Sequence, residues 1–254
     1  MTAPVTASMT APMTAKTTVV MLYPGHSAED EYATLERHLP GVRFPVVHTW
    51  EGATDHDVAA LLALGAHEPL AAAAHEAKVH HPDAVMWACT SGSFVYGPDG
   101  LELQARWAAD AAGVPASSTT IAFLEAVTAL EAPAVVLAAT YPREVTAYFV
   151  EVLEAQQISV VAGDSHGVPS GEHAGRLGPE EVRALVIRAA GRAPDLPILV
   201  PDTALHTVGL IEAFELELGR PVLTANQVTA WWGLRLAGRT VSAPGLGRLF
   251  RVGD

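Results

Sequence analysis

Short apolar runs alternate along the chain with longer segments in which alanine, leucine and glutamate recur at helical spacing. Thr17–Tyr23, Ala84–Ala88, Ala134–Ala139, Ile158–Ala162, Ile198–Val200 and Val222–Leu223 are largely apolar over strand-like lengths, and Val42–His48 is a further strand candidate. Helical patterns fill the gaps. One runs from Ser27, a residue suited to an N-cap, to about Leu39. The others are Asp55–Val79, kinked near Pro69, then Pro98–Ala112, Pro142–Gln157, Pro179–Ala190, Thr207–Leu218 and Gln227–Leu236. Unbroken apolar strands, each followed by a helix, predict an α/β fold whose parallel sheets are covered on both faces. The strands are too few for a closed eight-fold barrel, which leaves open, doubly wound sheets.

Composition narrows the classes. At roughly 100–200 residues per domain, 254 residues make one large domain or two small ones. Half the residues are hydrophobic and 17% are charged, ample for a buried core. The net charge of -13 argues against a nucleic-acid partner and against an anionic membrane surface. The alanine-rich stretch from Leu61 to Ala77 is broken by Gly65, His67, Glu68, Pro69, His75 and Glu76, so it predicts a soluble helix and no membrane span. Residues 1–16 are small, polar and proline-interrupted, with no secretory signal pattern, and predict a disordered tail. The single cysteine, Cys89, excludes an intramolecular disulfide and a multi-cysteine zinc site, and it fits a reduced, cytoplasmic setting. Eleven scattered histidines without an H-E-x-x-H pattern predict no metal. Gly245-Leu246-Gly247 lies near the C-terminus with no helix after it, and no P-loop occurs, so no cofactor is expected. Self-association is left open.

An internal echo locates candidate chemistry. Asp83–Thr90 (DAVMWACT) and Asp195–Thr203 (DLPILVPDT) both run from an aspartate through an apolar strand to a reactive residue followed by threonine. Cys89 and Asp202 thus fall at equivalent strand ends, where open α/β sheets bind ligands. Cys89-Thr90-Ser91-Gly92-Ser93 follows a strand, and its small residues let backbone N–H groups converge on an anion and lower the thiol pKa. The plain alternative is a buried structural cysteine. Asp202 is either an acid–base group or an N-cap. Tyr141 follows the strand AVVLAAT and either reaches the cleft or packs half-buried.

Several segments together resemble the maleate isomerase and arylmalonate decarboxylase family of the aspartate/glutamate racemase superfamily. They are Val85–Gly97 (VMWACTSGSFVYG), Leu137–Tyr141 (LAATY), Gly219–Leu236 (GRPVLTANQVTAWWGLRL) and Pro244–Phe250 (PGLGRLF), and the likeness spans about residues 17–250. The resemblance implies two Rossmann-like lobes related by a pseudo-twofold axis, no cofactor, and an active site in the inter-lobe cleft. It places lobe 1 at 17–117 plus 226–254 and lobe 2 at 118–225. It implies that Thr90, Ser91, Tyr141, Thr203 and Ala204 hold a substrate carboxylate, with Gly25, His26 and Ser27 as first-loop contacts. Isomerases and racemases of the family set a cysteine on each side of the substrate, whereas decarboxylases keep only the second-lobe cysteine and have glycine at the first. This chain does neither: it keeps Cys89, and Asp202 takes the second position. The usual first-loop asparagine is replaced within Pro24–Ser27, and the mid-chain asparagine of isomerases falls at Gly171.

Isomerisation of a small cis-dicarboxylate ranks first on this reading. Cys89 thiolate would add to the double bond, and Asp202 would stand in for the second cysteine, protonated by burial. Decarboxylation of a malonate-type diacid, with Cys89 as proton donor, ranks second. Aspartate/glutamate-type racemisation and a non-catalytic role follow.

Overall fold

The computed structural model describes residues 16–252. The expected N-terminal tail lies outside them, apart from Lys16. Among the described residues nine strands form: β1 (Thr17–Pro24), β2 (Val42–Arg43), β3 (Val46–Trp50), β4 (Ala84–Trp87), β5 (Ala116–Ser118), β6 (Ala134–Ala139), β7 (Ser159–Ser165), β8 (Ile198–Val200) and β9 (Val222–Thr224). In the first sheet β1 is flanked on one side by β2 and β3 in succession, and on the other by β4 and then β5. The second sheet runs β7-β6-β8-β9. Every pairing is parallel. The two sheets share one strand order, so the ends of β4 and β8 are topologically equivalent, as the echo around Cys89 and Asp202 requires. In each sheet the switch of direction falls beside the first strand, between β1 and β4 and between β6 and β8.

The central strands are buried on both faces. Val19, Met21 and Tyr23 join one apolar cluster and Val20 and Leu22 another, all at most 1% exposed. Val135, Leu137 and Ala139 of β6 join the same cluster as Val19 and Met21, so one core runs through both sheets. The helix Ala225–Leu236 follows β9 but packs back on the helix Thr119–Ala129 and on β4 and β1 of the first sheet.

Local details depart from the pattern-based expectations. The expected strand Val42–His48 is two strands, because Pro45 cannot donate to the ladder and interrupts it. The helix Glu31–His38 starts four residues after Ser27, whose backbone N–H bonds to Glu29 Oε2 instead of its side chain capping the helix. The segment expected as one helix kinked at Pro69 breaks earlier, at Gly65, into Val58–Leu64 and His67–Glu76, followed by a 3-10 turn. Pro69 sits in the first turn of the second piece, where its missing N–H costs nothing. The continuous stretch Val58–His80 has membrane-like length and hydropathy, but each helix in it is far shorter than the roughly 20 residues of a span. Strand β5 carries no apolar run in ASS to mark it, and the helix Thr119–Ala129, whose IAFLEAV stretch is apolar, is a further element beyond the pattern-based expectations.

Candidate active site

The ends of β1, β4 and β8 meet at one cleft. Cys89 stands just beyond β4, where the chain turns into the short helix Ser91–Phe94. The Gly92 N–H donates to its Sγ at 3.3 Å, and Ser91 Oγ lies 4.0 Å from it. A second layer fixes this turn. Gln104 Nε2 donates to the carbonyls of Gly65 and Gly92 at 2.8 and 2.9 Å. Thr120 Oγ1 donates to the Thr90 carbonyl, and Ser93 Oγ donates to Ser118 Oγ. A Cβ at position 92 would stand 3.1 Å from the sulfur and 2.8 Å from Leu64, so glycine there lets the amide approach Sγ.

The thiol differs from the accessible, activated thiol expected from sequence. It is 4% exposed, and burial pushes its pKa up to about 12, against the pull of the Gly92 and Ser91 contacts. The helix that follows is a single turn, so its dipole is too small to offset desolvation.

Asp202 stands two residues beyond β8 and is 3% exposed. Its Oδ1 accepts from Ala204 N at 3.0 Å and its Oδ2 from Thr140 Oγ1. Its charge is one of the influences that raise the Cys89 pKa. Tyr141 is buried, packed edge-on to His56 and Phe94, and its hydroxyl donates to the Pro201 carbonyl. Burial, then Asp202 and Cys89, push its pKa well above the usual phenol value, so it stays a donor. Thr90 is fully buried, yet its Oγ1 has no hydrogen-bond partner. An unpaired buried hydroxyl costs on the order of 1–3 kcal/mol.

The cleft is lined by Cys89, Ser91, Asp202, Thr203, Ala204 and Ser27, together with Tyr23, Pro24, Thr54, His56, Leu61, Leu64 and Gly171. Its free volume is about 20 Å³, room for about one water in this conformation. Of the residues expected from sequence, Thr90 and Tyr141 lie behind this wall. Gly25 and His26 do not line it. Gly25 adopts a φ of +64°, and a Cβ there would meet Thr54 at 2.8 Å, so its role is the turn. His26 points outward to Glu29 and Glu51. The apolar wall of Leu61 and Leu64 left no signal in the sequence, since both sit within an ordinary amphipathic pattern. Tyr23 also went unrecognised: its hydroxyl donates to the Thr203 carbonyl at 3.0 Å and accepts from Ala28 N at 3.1 Å, tying the first loop to the second sheet.

A buried carboxylate supports the same loop. Glu31 accepts from the N–H groups of Thr207 and Val208, each at 2.6 Å, and from Asn226 Nδ2 at 2.9 Å. Asn226 Nδ2 also donates to the Thr203 carbonyl, and Asn226 Oδ1 accepts from Tyr32. Burial pushes the Glu31 pKa from 4.5 up to about 7, against the opposing pull of Asn226, Val208 and Thr207. Folding therefore favours the protonated acid. This contribution to stability is present in full below about pH 4.5 and is lost as pH rises through about 7, and it amounts to about 3 kcal/mol. Glu31→Gln should flatten that part of the pH dependence. Urea unfolding of both proteins between these limits measures it; equal slopes for the two proteins would count against the assignment.

Two larger surface grooves, one near Glu212 and Arg248 and one near Arg143 and Arg192, contain neither Cys89 nor Asp202. The cleft thus gathers the one thiol, an opposing carboxylate and a set of hydroxyl and amide donors. Comparison with known proteins agrees with that picture. The family model for arylmalonate decarboxylase matches residues 65–250. Arylmalonate decarboxylase of Bordetella bronchiseptica is 32% identical over 143 residues, 56% of this chain and 60% of that protein. Maleate isomerase of Nocardia farcinica is 30% identical over 187 residues, 67% of this chain and 70% of that one. Among solved structures, a liganded double mutant of arylmalonate decarboxylase, with one glycine changed to cysteine and one cysteine to serine, superposes with a TM-score of 0.81 at 26% identity. That match covers 92% of this chain and 99% of the other. With the matched strand ends carrying the cleft, the chain belongs to the arylmalonate decarboxylase family, whose relatives here include maleate isomerase.

Proposed function

We propose that the protein is a cofactor-independent decarboxylase of a small malonate-type diacid, with Cys89 as the proton donor. The carrying observation is the setting of the single thiol, which is buried beside Asp202 and held neutral. One carbon–carboxylate bond breaks, its electron pair passes into an enediolate, and carbon dioxide leaves. The Cys89 S–H then protonates the carbon. The resulting thiolate receives N–H support from Gly92 until solvent returns the proton. Ser91, Thr203 and Ala204, which line the cleft, would hold the retained carboxylate. Leu61 and Leu64 would strip water from the departing one. The family model and the Bordetella bronchiseptica relative, both of arylmalonate decarboxylase, support the reading.

This order reverses the expectation from sequence, which put isomerisation first. Addition to a double bond requires the thiolate, and with a pKa of about 12 its formation at pH 7 costs about 7 kcal/mol. Isomerisation of maleate type is the second reading, favoured by the amide and hydroxyl contacts to the sulfur.

Incubation with aryl- and alkylmalonates, maleate, aspartate and glutamate in D₂O, followed by NMR, separates the readings. A monoacid carrying one deuterium at its α-carbon is the expected product. Fumarate formed from maleate without loss of carbon dioxide would replace the proposal with isomerisation. Deuterium exchange alone would replace it with racemisation, and no reaction in any sample with a non-catalytic role.

Asp202→Asn isolates the effect of charge. The amide oxygen can still accept from Ala204 N, and the amide nitrogen can donate to Thr140 Oγ1, so the turn should persist. Removing the charge should lower the Cys89 pKa, because Asp202 raises it. Iodoacetamide labelling between about pH 8 and 10 should then be faster in the variant; an unchanged rate would show that Asp202 does not act on the thiol.

A further inference from the structure

The first loop and the end of β3 converge on a cluster outside the cleft. We infer that His26, His48 and Glu29 form a binding site for a divalent transition metal of the zinc class at the rim of the active site. Their ligand atoms all lie within 4.8 Å of one another. Glu29 Oε1 is 3.1 Å from His26 Nδ1 and 3.6 Å from His48 Nε2. Zinc bonds of about 2.0–2.1 Å at tetrahedral angles set ligand atoms about 3.3 Å apart, so both spacings fit one shared ion. Two imidazoles and one carboxylate, with a fourth position open to water, are a donor set that selects zinc, cobalt or nickel over magnesium or calcium.

Two further features support the site. His48 Nε2 is buried and has no hydrogen-bond partner, which leaves its lone pair for a ligand bond. The ligands are also oriented from behind. Glu29 Oε2 accepts from Ser27 N at 2.7 Å, which turns Oε1 toward the histidines. The far nitrogen of His26, Nε2, faces Glu51 at 3.6 Å, placed as the carboxylate that steadies a metal-bound imidazole. The two rings lie 4.2 Å apart, centroid to centroid. A bound ion would clip the loop carrying Pro24 and Ser27, which line the cleft, onto β3. Metal here would brace the substrate entrance and take no part in proton transfer. The inference does not depend on which reaction the cleft performs.

The test uses the full chain, stripped with chelator and dialysed. Titration with Co²⁺ should give one equivalent bound, with the visible absorption of a tetrahedral or five-coordinate site, and Zn²⁺ should displace it. His26→Ala and His48→Ala should each weaken binding by about tenfold or more, and Glu29→Gln should do likewise. His26 is 61% exposed, so its loss should leave the fold intact, which circular dichroism checks. Zn²⁺ should raise the Tm of the parent protein and not that of the variants. Failure to bind Co²⁺ or Zn²⁺ at micromolar concentrations, or binding that survives His26→Ala and His48→Ala unchanged, would overturn the site.

Discussion

Replacing Cys89 with alanine should abolish turnover while leaving the protein folded. The proposed reaction has one proton donor at the carbon, and this chain has one thiol. Its loss should cost on the order of 3–5 kcal/mol in the chemical step, a reduction of roughly 10²–10⁴-fold. The cost in stability should be small. The side chain is buried, but its sulfur is tied to the protein only by the Gly92 N–H and the distant Ser91 hydroxyl. Single-turnover kinetics with the best malonate, beside a denaturation curve, separate the two effects. Wild-type turnover in Cys89→Ala would eliminate proton donation by cysteine and thiolate addition together. Cys89→Ser is the finer probe: the hydroxyl keeps a proton to give but is a much poorer acid, so some activity can survive only if the group acts as a donor.

The largest effect on stability should come from Gly65→Ala. A Cβ at this position would stand 2.2 Å from the Gly92 carbonyl and 2.6 Å from Gln104 Nε2. Neither neighbour can yield easily. The carbonyl belongs to the turn that carries Cys89, and Gln104 bridges the carbonyls of Gly65 and Gly92 from a buried position. Relief requires moving backbone, so the loss should be about 3 kcal/mol or more, at the upper end for overpacking. The same displacement should loosen the Gly92 amide from Sγ and change the alkylation rate of Cys89. Chemical denaturation and labelling of one variant check both. Wild-type values would mean that the turn accommodates a methyl group and does not hold Cys89 rigidly.

Much of this protein was written in local patterns. Short, largely apolar runs such as TTVVMLY and AVVLAA fit strands covered on both faces, and their alternation with helices fits parallel pairing. The echo between DAVMWACT and DLPILVPDT placed Cys89 and Asp202 at matched strand ends, because the strand and the residue just beyond it are contiguous in sequence. Wherever partners lie far apart along the chain, local patterns were silent. The Leu61 and Leu64 wall, the bond from Tyr23 to Thr203, and the Glu31–Asn226 link join residues from separate segments that only the packed sheets bring together. The same limit explains the reversed expectation for the thiol. Its amide neighbours were visible in Ser91-Gly92, but its burial was not, and desolvation outweighs the dipoles of a single helical turn. His26, Glu29 and His48 likewise show no metal spacing in the sequence, because His48 arrives from the next strand and the parallel register of β3 on β1 sets it beside Tyr23 and the first loop. Backbone pattern determined the strands and their ends; desolvation and contacts across the two sheets, which belong to the tertiary structure alone, decided what the side chains there can do.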